Sequence, residues 1–171
     1  MLNAVVAALV LIVNFIFQST LLQLVEIRGV IPDTMIIIIV SYALLRGQNT
    51  GMAVGFAAGL IYDIFFGNSL GFYALVGLLT GLICGTSSKT FYRENYVMPV
   101  LLSFLANCII GMAVYVTSFL FKNDYNVFYY AFNVVLPQAV YTGAAAVLIY
   151  KALYKINKKV EKKEREKRRV F

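Results

Sequence analysis

The side chains that carry most enzyme chemistry are scarce in this sequence. The chain contains no histidine, the commonest general base and metal ligand in proteins. Asp63 is the one acidic residue within an apolar run. Glycosidic hydrolysis needs two carboxylates, and metal sites usually need three or more protein ligands. We therefore expect no catalytic residue, no metal site and no cofactor.

Two further candidates for chemistry are equally weak. Thr86–Thr90 lacks the glycines and the residue order of a phosphate-binding loop. Cys84 and Cys108 lie in apolar runs without a C-x-x-C motif, so we expect them to behave as small hydrophobic side chains. A serine or threonine nucleophile stays open, but no base can be named for it. The sequence therefore argues against an enzyme.

Composition instead indicates an integral membrane protein. Of the 171 residues, 61% are apolar and 13% are charged, about half the roughly 25% that is typical of soluble domains. Residues 1–150 carry five basic and five acidic side chains, whereas residues 151–171 carry ten basic and three acidic ones. The net charge of +7 therefore belongs to the tail, and it gives no reason to expect that the body binds nucleic acid.

Six apolar runs predict an all-α, six-helix transmembrane bundle over residues 1–155, followed by a basic cytoplasmic tail over residues 156–171. A hydrocarbon core of about 30 Å needs about 20 helical residues. The second and third runs are short, so they require little tilt, a thinned bilayer or shielding by neighbours. A re-entrant pair over 31–66 is the alternative. The runs are Ala4–Val25, Thr34–Leu45, Gly51–Phe66, Phe72–Ser87, Val97–Phe121 and Val127–Tyr150.

The distribution of Lys and Arg near the ends of the runs predicts that both termini are cytoplasmic. With six spans, one side of the membrane collects Arg46, Lys89, Arg93 and the ten basic residues of the tail. The other side has only Arg28 and Lys122. Without the tail the bias is three against two, so the tail decides the predicted orientation.

Two rows of glycine at four-residue spacing form the clearest pattern in the chain. Positions four apart lie nearly above one another on a helix, so each row leaves a groove that a second backbone can approach closely. Packing of the two helices against each other is the favoured interpretation, and a surface for another protein is the alternative. The rows are Gly51, Gly55 and Gly59 in the third run and Gly77, Gly81 and Gly85 in the fourth.

Polar side chains within the runs form a second pattern. Asp63 lies near the predicted outer end of the third helix, where an ionised carboxylate needs a partner or water. It is interpreted as a hydrogen-bond hub that joins several helices or as a carboxylate wetted by headgroup water, and less readily as a substrate or ion site. The candidate partners at similar depth are Gln18, Ser118 and Asn133, while Asn14, Asn107 and Gln138 are candidates for a second polar layer nearer the midplane.

The basic tail is predicted to continue the sixth helix. Glu161 with Arg165 and Glu164 with Arg168 are four residues apart, a spacing that supports helix. The tail would attract anionic lipid or dock a cytoplasmic partner, and each basic residue near the surface contributes about 1 kcal/mol to lipid attraction. A simple topology anchor is the alternative. The candidate docking residues are Lys158, Lys159, Lys162 and Lys163.

The region from Pro32 to Gly77 resembles the MreD family, the rod-shape-determining membrane proteins of bacteria. The size, the six runs and the short loops also fit that family. The matching residues are Pro32-Asp33, then Gly51-x-x-x-Gly55-Phe56-x-x-Gly59-Leu60-x-x-Asp63, then Gly67, Gly71 and Gly77.

The resemblance implies a non-enzymatic scaffold of the cell-elongation machinery in the bacterial cell membrane. Such a protein would bind the bitopic protein MreC and link MreB filaments to the peptidoglycan synthases RodA and a class B penicillin-binding protein. The family fold is similar to the substrate-binding subunits of energy-coupling-factor transporters, so capture of a vitamin or metal is the alternative function. The glycine rows and the short predicted outer loops favour the scaffold, because a capture subunit usually needs lids.

Overall fold

The computed structural model describes residues 2–21, 30–66, 71–89, 96–122 and 127–169, and side chains over 5–20, 30–66, 71–88, 96–116 and 129–162. Within these ranges the chain forms six helices and no strand. The helices are α1 (Leu2–Ile16), α2 (Thr34–Arg46), α3 (Gln48–Phe66), α4 (Phe72–Thr86), α5 (Val97–Lys122) and α6 (Val127–Arg169). A π-helical turn at Phe17–Leu21 extends α1, and a 3-10 turn at Ser87–Lys89 follows α4. Helix α6 contains a π-helical turn at Ala131–Val135, between Val127–Tyr130 and Leu136–Arg169.

Each of the six apolar runs thus contains one helix, and the all-helical class is confirmed. The sixth helix continues without a break to Arg169, as predicted for the tail. Contacts between helices define two ends of the bundle. We name the end with Asp33 and Asp63 the acidic end, and the end with Arg46 and Asn157 the basic end.

Helix α2 is the centre of the bundle. Every residue from Thr34 to Leu45 is buried, and α2 contacts all five other helices. Its sequence is apolar on every side, which is typical of a helix surrounded by protein. At 1.5 Å per residue its 13 residues extend about 20 Å, well short of a hydrocarbon core of about 30 Å. Shielding by neighbours therefore accounts for its short length.

The connection between α2 and α3 is a single residue, Gly47. Its φ is +88°, a backbone conformation that residues with a Cβ rarely adopt. The Gly47 N–H donates to the carbonyl oxygen of Ala43 at 2.9 Å, which closes the last turn of α2. The gap between the predicted runs Thr34–Leu45 and Gly51–Phe66 is thus shorter than expected, because Gln48 and Asn49 form the first turn of α3.

The helices identify a membrane protein by their length and surface. Three helical segments within the described ranges are long and apolar enough to cross a membrane, namely Gln48–Phe66, Val97–Val116 and Ala131–Lys162. Large apolar side chains point outward from the bundle, including Ile64, Ile109 and Leu148, which are 64%, 69% and 74% exposed. An apolar outer surface of this extent suits lipid rather than water.

Candidate functional site

The two glycine rows lie directly against each other in the interface between α3 and α4. A Cβ added to Gly55 would lie under 3.0 Å from the carbonyl oxygen of Gly77, and a Cβ on Gly77 would meet the Gly55 carbonyl in the same way. Gly51 and Gly81 form a second reciprocal pair of this kind. Real Cβ atoms do not approach backbone atoms so closely, so the two backbones are in direct contact.

The outer members of the rows extend the same contact to both ends of the pair. A Cβ on Gly59 would meet the backbone of Tyr73 and Ala74, and a Cβ on Gly85 would meet the backbone of Gln48. All six glycines are buried. The geometry therefore corresponds to packing of the two helices against each other, and neither row is available as a surface for another protein.

Asp63 caps the first turn of α4 from the neighbouring helix. Its Oδ2 accepts the backbone N–H groups of Gly71 and Ala74, and its Oδ1 accepts that of Tyr73, each at 3.0 Å. The cap residue of α4 is Gly71, which has no side chain to satisfy the free N–H groups of the first helical turn. The carboxylate also lies at the positive end of the helix dipole. Asp63 is only 2% exposed, and these three donors account for its burial.

Within the described part of the chain, the contacts of Asp63 differ from those expected of a hub that joins several helices. Three backbone donors from one helix occupy the carboxylate, and the other candidates bond elsewhere. Gln18 Oε1 accepts the hydroxyl of Thr34 at 2.9 Å, and Gln138 Nε2 donates to the carbonyl of Ile31 at 3.2 Å. Asn133 Nδ2 donates to the carbonyl of Tyr129 at 3.0 Å, within its own helix. The side chain of Ser118 lies outside the described residues.

The polar contacts that do join several helices centre on Asp33 and Thr142. Asp33 caps α2, because its Oδ1 accepts the N–H of Ile36 at 3.2 Å. Its own N–H donates to Thr142 Oγ1 on α6 at 3.0 Å. Asn107 on α5 donates from Nδ2 to the same Thr142 oxygen at 3.4 Å. Thr142 thus connects α2, α5 and α6, a role that sequence reasoning missed.

An open cavity of about 330 Å³ lies beside Asp33 at the acidic end. One wall is aromatic, formed by Tyr62 and Phe66, and the other is polar, formed by Asp33, Gln18 and Gln138. The aromatic wall continues into Tyr73 and Phe15, since the ring centroids of Tyr62 and Tyr73 lie 4.5 Å apart and those of Phe15 and Phe66 lie 5.7 Å apart. The lining residues offer hydrogen-bonding groups and a stacking surface.

Among the described residues, three buried polar atoms have no hydrogen-bond partner, namely Asn14 Nδ2, Ser103 Oγ and Asn107 Oδ1. Asn14 and Asn107 were predicted to share a polar layer with Gln138, and the structure does not connect them. Among the described residues no group of three or more His, Cys, Asp or Glu side chains could hold a metal ion. Cys84 is buried, and neither it nor Cys108 is in a disulfide.

At the basic end, Arg46 joins α2 to α6. Its Nε donates to Oδ1 of Asn157, and Asn157 Nδ2 contacts Oε1 of Glu161 at 3.4 Å. Packing against the bundle continues to Val160, past residue 155, where the transmembrane domain was predicted to end. The buried positions Leu153, Asn157 and Val160 have the spacing of one helix face, a signal that could have revealed Asn157.

The predicted docking lysines of the tail lie on the outer side of α6. Lys158, Lys159 and Lys162 are exposed, and the side chain of Lys163 lies outside the described residues. Their positions leave the ammonium groups open to solvent or to a membrane surface near the basic end. The structure thus presents these charges outward, while the buried face of the same helix holds Arg46.

Comparison with known proteins identifies a family. The family model described as rod shape-determining protein MreD matches residues 1–160, a range that includes both glycine rows, Asp33 and Asp63. A search of the curated proteins and a search of the solved structures found no match.

Proposed function

The chain belongs to the MreD family of rod shape-determining membrane proteins, and from that premise we propose that it is a non-enzymatic scaffold of the bacterial cell-elongation complex. Its direct partner in the membrane would be MreC. Through MreC it would link MreB filaments to RodA and a class B penicillin-binding protein. In this way it would support lateral peptidoglycan synthesis. The match of the family model to residues 1–160 is the observation that carries this proposal.

The packing of the bundle supports a scaffold in a second way. The glycine rows and the caps at Asp33 and Asp63 contact other parts of the same bundle, so these groups serve to hold the fold together. A partner helix would therefore have to use the apolar outer faces. Helix α5 offers such a face over residues 97–116, because exposed apolar residues recur there every three or four positions. They are Val97, Leu101, Leu105, Ile109, Met112 and Val116.

The proposed topology has six spans with the basic end in the cytoplasm. The three long apolar segments supply full spans. The short helices α1, α2 and α4 lie beside them, and the central position of α2 removes the need for that helix to meet the full lipid thickness. Exposed lysines at the basic end agree with the excess of Lys and Arg found in cytoplasmic loops. Lys158, Lys159, Lys162 and Lys163 would then face anionic lipid or a cytoplasmic partner.

Site-specific photo-crosslinking in membranes tests the proposed partner. A photoreactive residue is placed at one exposed position on each of four helices, namely Leu9, Leu79, Ile109 and Leu148. We expect crosslinks to MreC from the positions on one face of the bundle, with the remaining positions serving as matched controls. A complete absence of MreC adducts at all four positions, with normal amounts of inserted protein, would contradict the proposal.

The alternative is a capture subunit of an energy-coupling-factor type transporter, and the acidic-end cavity favours it. That cavity combines the Asp33 carboxylate with two amides and an aromatic wall. Two of the connections at this end are short, since residues 67–71 join α3 to α4 and residues 123–126 join α5 to α6, whereas the twelve residues 22–33 join α1 to α2. The two short connections leave little chain for a lid. Copurification of a vitamin or of an ATP-hydrolysing module would favour the alternative over the scaffold.

A further inference from the structure

A second open cavity, the α1–α3 groove, lies at the basic end, on the opposite half of the bundle from Asp33. Its volume is about 480 Å³. Small side chains form its two walls, Ala8 on α1 and Ala53 and Ala57 on α3, and Tyr42 and Val54 lie at its base. At the acidic end the same two helices meet through Phe15 and Phe65, whose ring centroids are 4.6 Å apart. The groove therefore opens toward the basic end.

The chemistry of the groove changes along its length. Alanine, leucine and valine side chains line its deeper part, whereas Arg46, Asn49 and Thr50 line its mouth at the basic end. The contact with Asn157 on α6 holds Arg46 in place at this mouth. The groove thus combines an apolar channel with a fixed positive charge at one end, which is the charge pattern complementary to an anionic lipid.

The shape of the groove favours a hydrocarbon chain over a helix as its occupant. The groove runs along eight residues of α3, from Thr50 to Ala57, or about 10 Å, between walls of small side chains. An α-helix with side chains is about 10 to 12 Å wide. A single extended hydrocarbon chain is much thinner and fits between alanine-lined walls.

We propose that the α1–α3 groove is a binding site for one anionic phospholipid. Its acyl chain lies between α1 and α3, and its phosphate lies at Arg46. The site is distinct from the exposed lysines of the tail, which attract a charged surface without enclosing an acyl chain. Lipid binding at this site does not depend on MreC, so its test is independent of the proposed scaffold role.

Native mass spectrometry of the full chain, released from vesicles of equal phosphatidylglycerol and phosphatidylethanolamine, tests the site. We expect the wild-type protein to retain one phosphatidylglycerol in preference to phosphatidylethanolamine. Ala53→Leu and Ala8→Leu fill the groove from opposite walls without changing any charge, and each should lower that retention about tenfold. Both alanines are exposed, so the larger side chains do not disturb the buried core.

Two further sets of variants separate the groove from the tail and from folding. Arg46→Gln should lose the preference for phosphatidylglycerol, and Arg46→Lys should restore it, because lysine keeps the charge. The matched control Lys158→Gln, Lys159→Gln and Lys162→Gln removes tail charge and should leave the retained lipid unchanged. Wild-type retention in both leucine variants, equal retention of the two lipids, or loss of the lipid in the tail control would each overturn the proposal.

Discussion

The α3–α4 pair and the α5–α6 pair are both antiparallel, apolar and glycine-containing, yet they are held together differently. In α3–α4 the backbones touch, and no glycine of the two rows has room for a Cβ. In α5–α6 a Cβ on Gly143 would be in ordinary contact with Val100, 3.7 Å away, and Gly111 faces the side chain of Val135. Glycines repeated every four residues on both partners thus bring backbones together, whereas single glycines only make room for a side chain.

The hydrogen bonding of polar groups also differs between the two helix pairs. The carboxylate of Asp63 in α3–α4 has three backbone donors at 3.0 Å. In α5–α6 the Asn107–Thr142 contact is 3.4 Å long, and Asn107 Oδ1 and Ser103 Oγ have no partner within the described ranges. Satisfied polar groups hold a unique arrangement, whereas partly satisfied ones contribute little to stability. We therefore expect α3–α4 to be the rigid part of the bundle and α5–α6 the adaptable part.

The largest expected effect is at Gly55. Gly55→Ala places a methyl group against the Gly77 backbone, which cannot move aside as a flexible side chain can, so we expect a loss of about 3 kcal/mol in unfolding free energy. Gly55→Leu should prevent the folded bundle from accumulating. The measurement is thermal or denaturant unfolding of the detergent-solubilised protein, followed by helical signal.

Gly143→Ala is the matched control for Gly55→Ala, because it makes the same chemical change in a helix of the looser pair. Its new methyl group meets only ordinary van der Waals neighbours. We expect stability within about 1 kcal/mol of wild type, with any shift toward greater stability from the higher helix propensity of alanine. Equal losses at the two glycines would show that the two interfaces do not differ as described.

The next largest effect is at Asp63. Asp63→Leu leaves three N–H groups of α4 without an acceptor and should cost about 2 to 3 kcal/mol. Asp63→Asn keeps one accepting oxygen, but its NH₂ group faces the backbone N–H that the other carboxylate oxygen accepted. We therefore expect about half the loss of unfolding free energy seen in Asp63→Leu. The same unfolding assay compares them, and hydrogen exchange of the Tyr73 and Ala74 amides reports on the cap itself. Unchanged exchange in Asp63→Leu would refute the capping role.

The sequence predicted the helices and the glycine contact because both depend on local pattern. The apolar runs locate all six helices, and four-residue spacing in two neighbouring runs indicates that the two glycine rows meet, whereas the register that pairs Gly55 with Gly77 comes from the structure. The single-residue turn at Gly47 was less predictable, since Gln48 and Asn49 look like loop residues. Their place in α3 follows from the packing of α3 on α4, where Gln48 meets Gly85.

The polar contacts could not be predicted because they depend on which side chains the packing brings together. Asp63 has the depth and helix face of an intramembrane hub, and only the position of the α4 N-terminus shows that it is a cap. Thr142 is a small hydroxyl in an alanine-rich stretch, and nothing in its own sequence neighbourhood marks it as the acceptor for Asp33. The central place of α2 was predictable only in part, because its uniform apolarity indicates burial but does not indicate which helices bury it.

The smallest effect is expected at Asn107, and it tests the looser pair directly. Asn107→Leu removes one long hydrogen bond and one unpartnered oxygen while keeping the volume of the side chain, so the stability should change by no more than about 1 kcal/mol. Thr142→Val is the matched comparison within the same contact, because it leaves the Asp33 N–H without an acceptor and should cost about 1 to 3 kcal/mol. If Asn107→Leu proved as costly as Thr142→Val, the asparagine would have to be an essential part of the α5–α6 interface. The contrast with α3–α4 would then lie only in backbone distance and not in how well polar groups are satisfied.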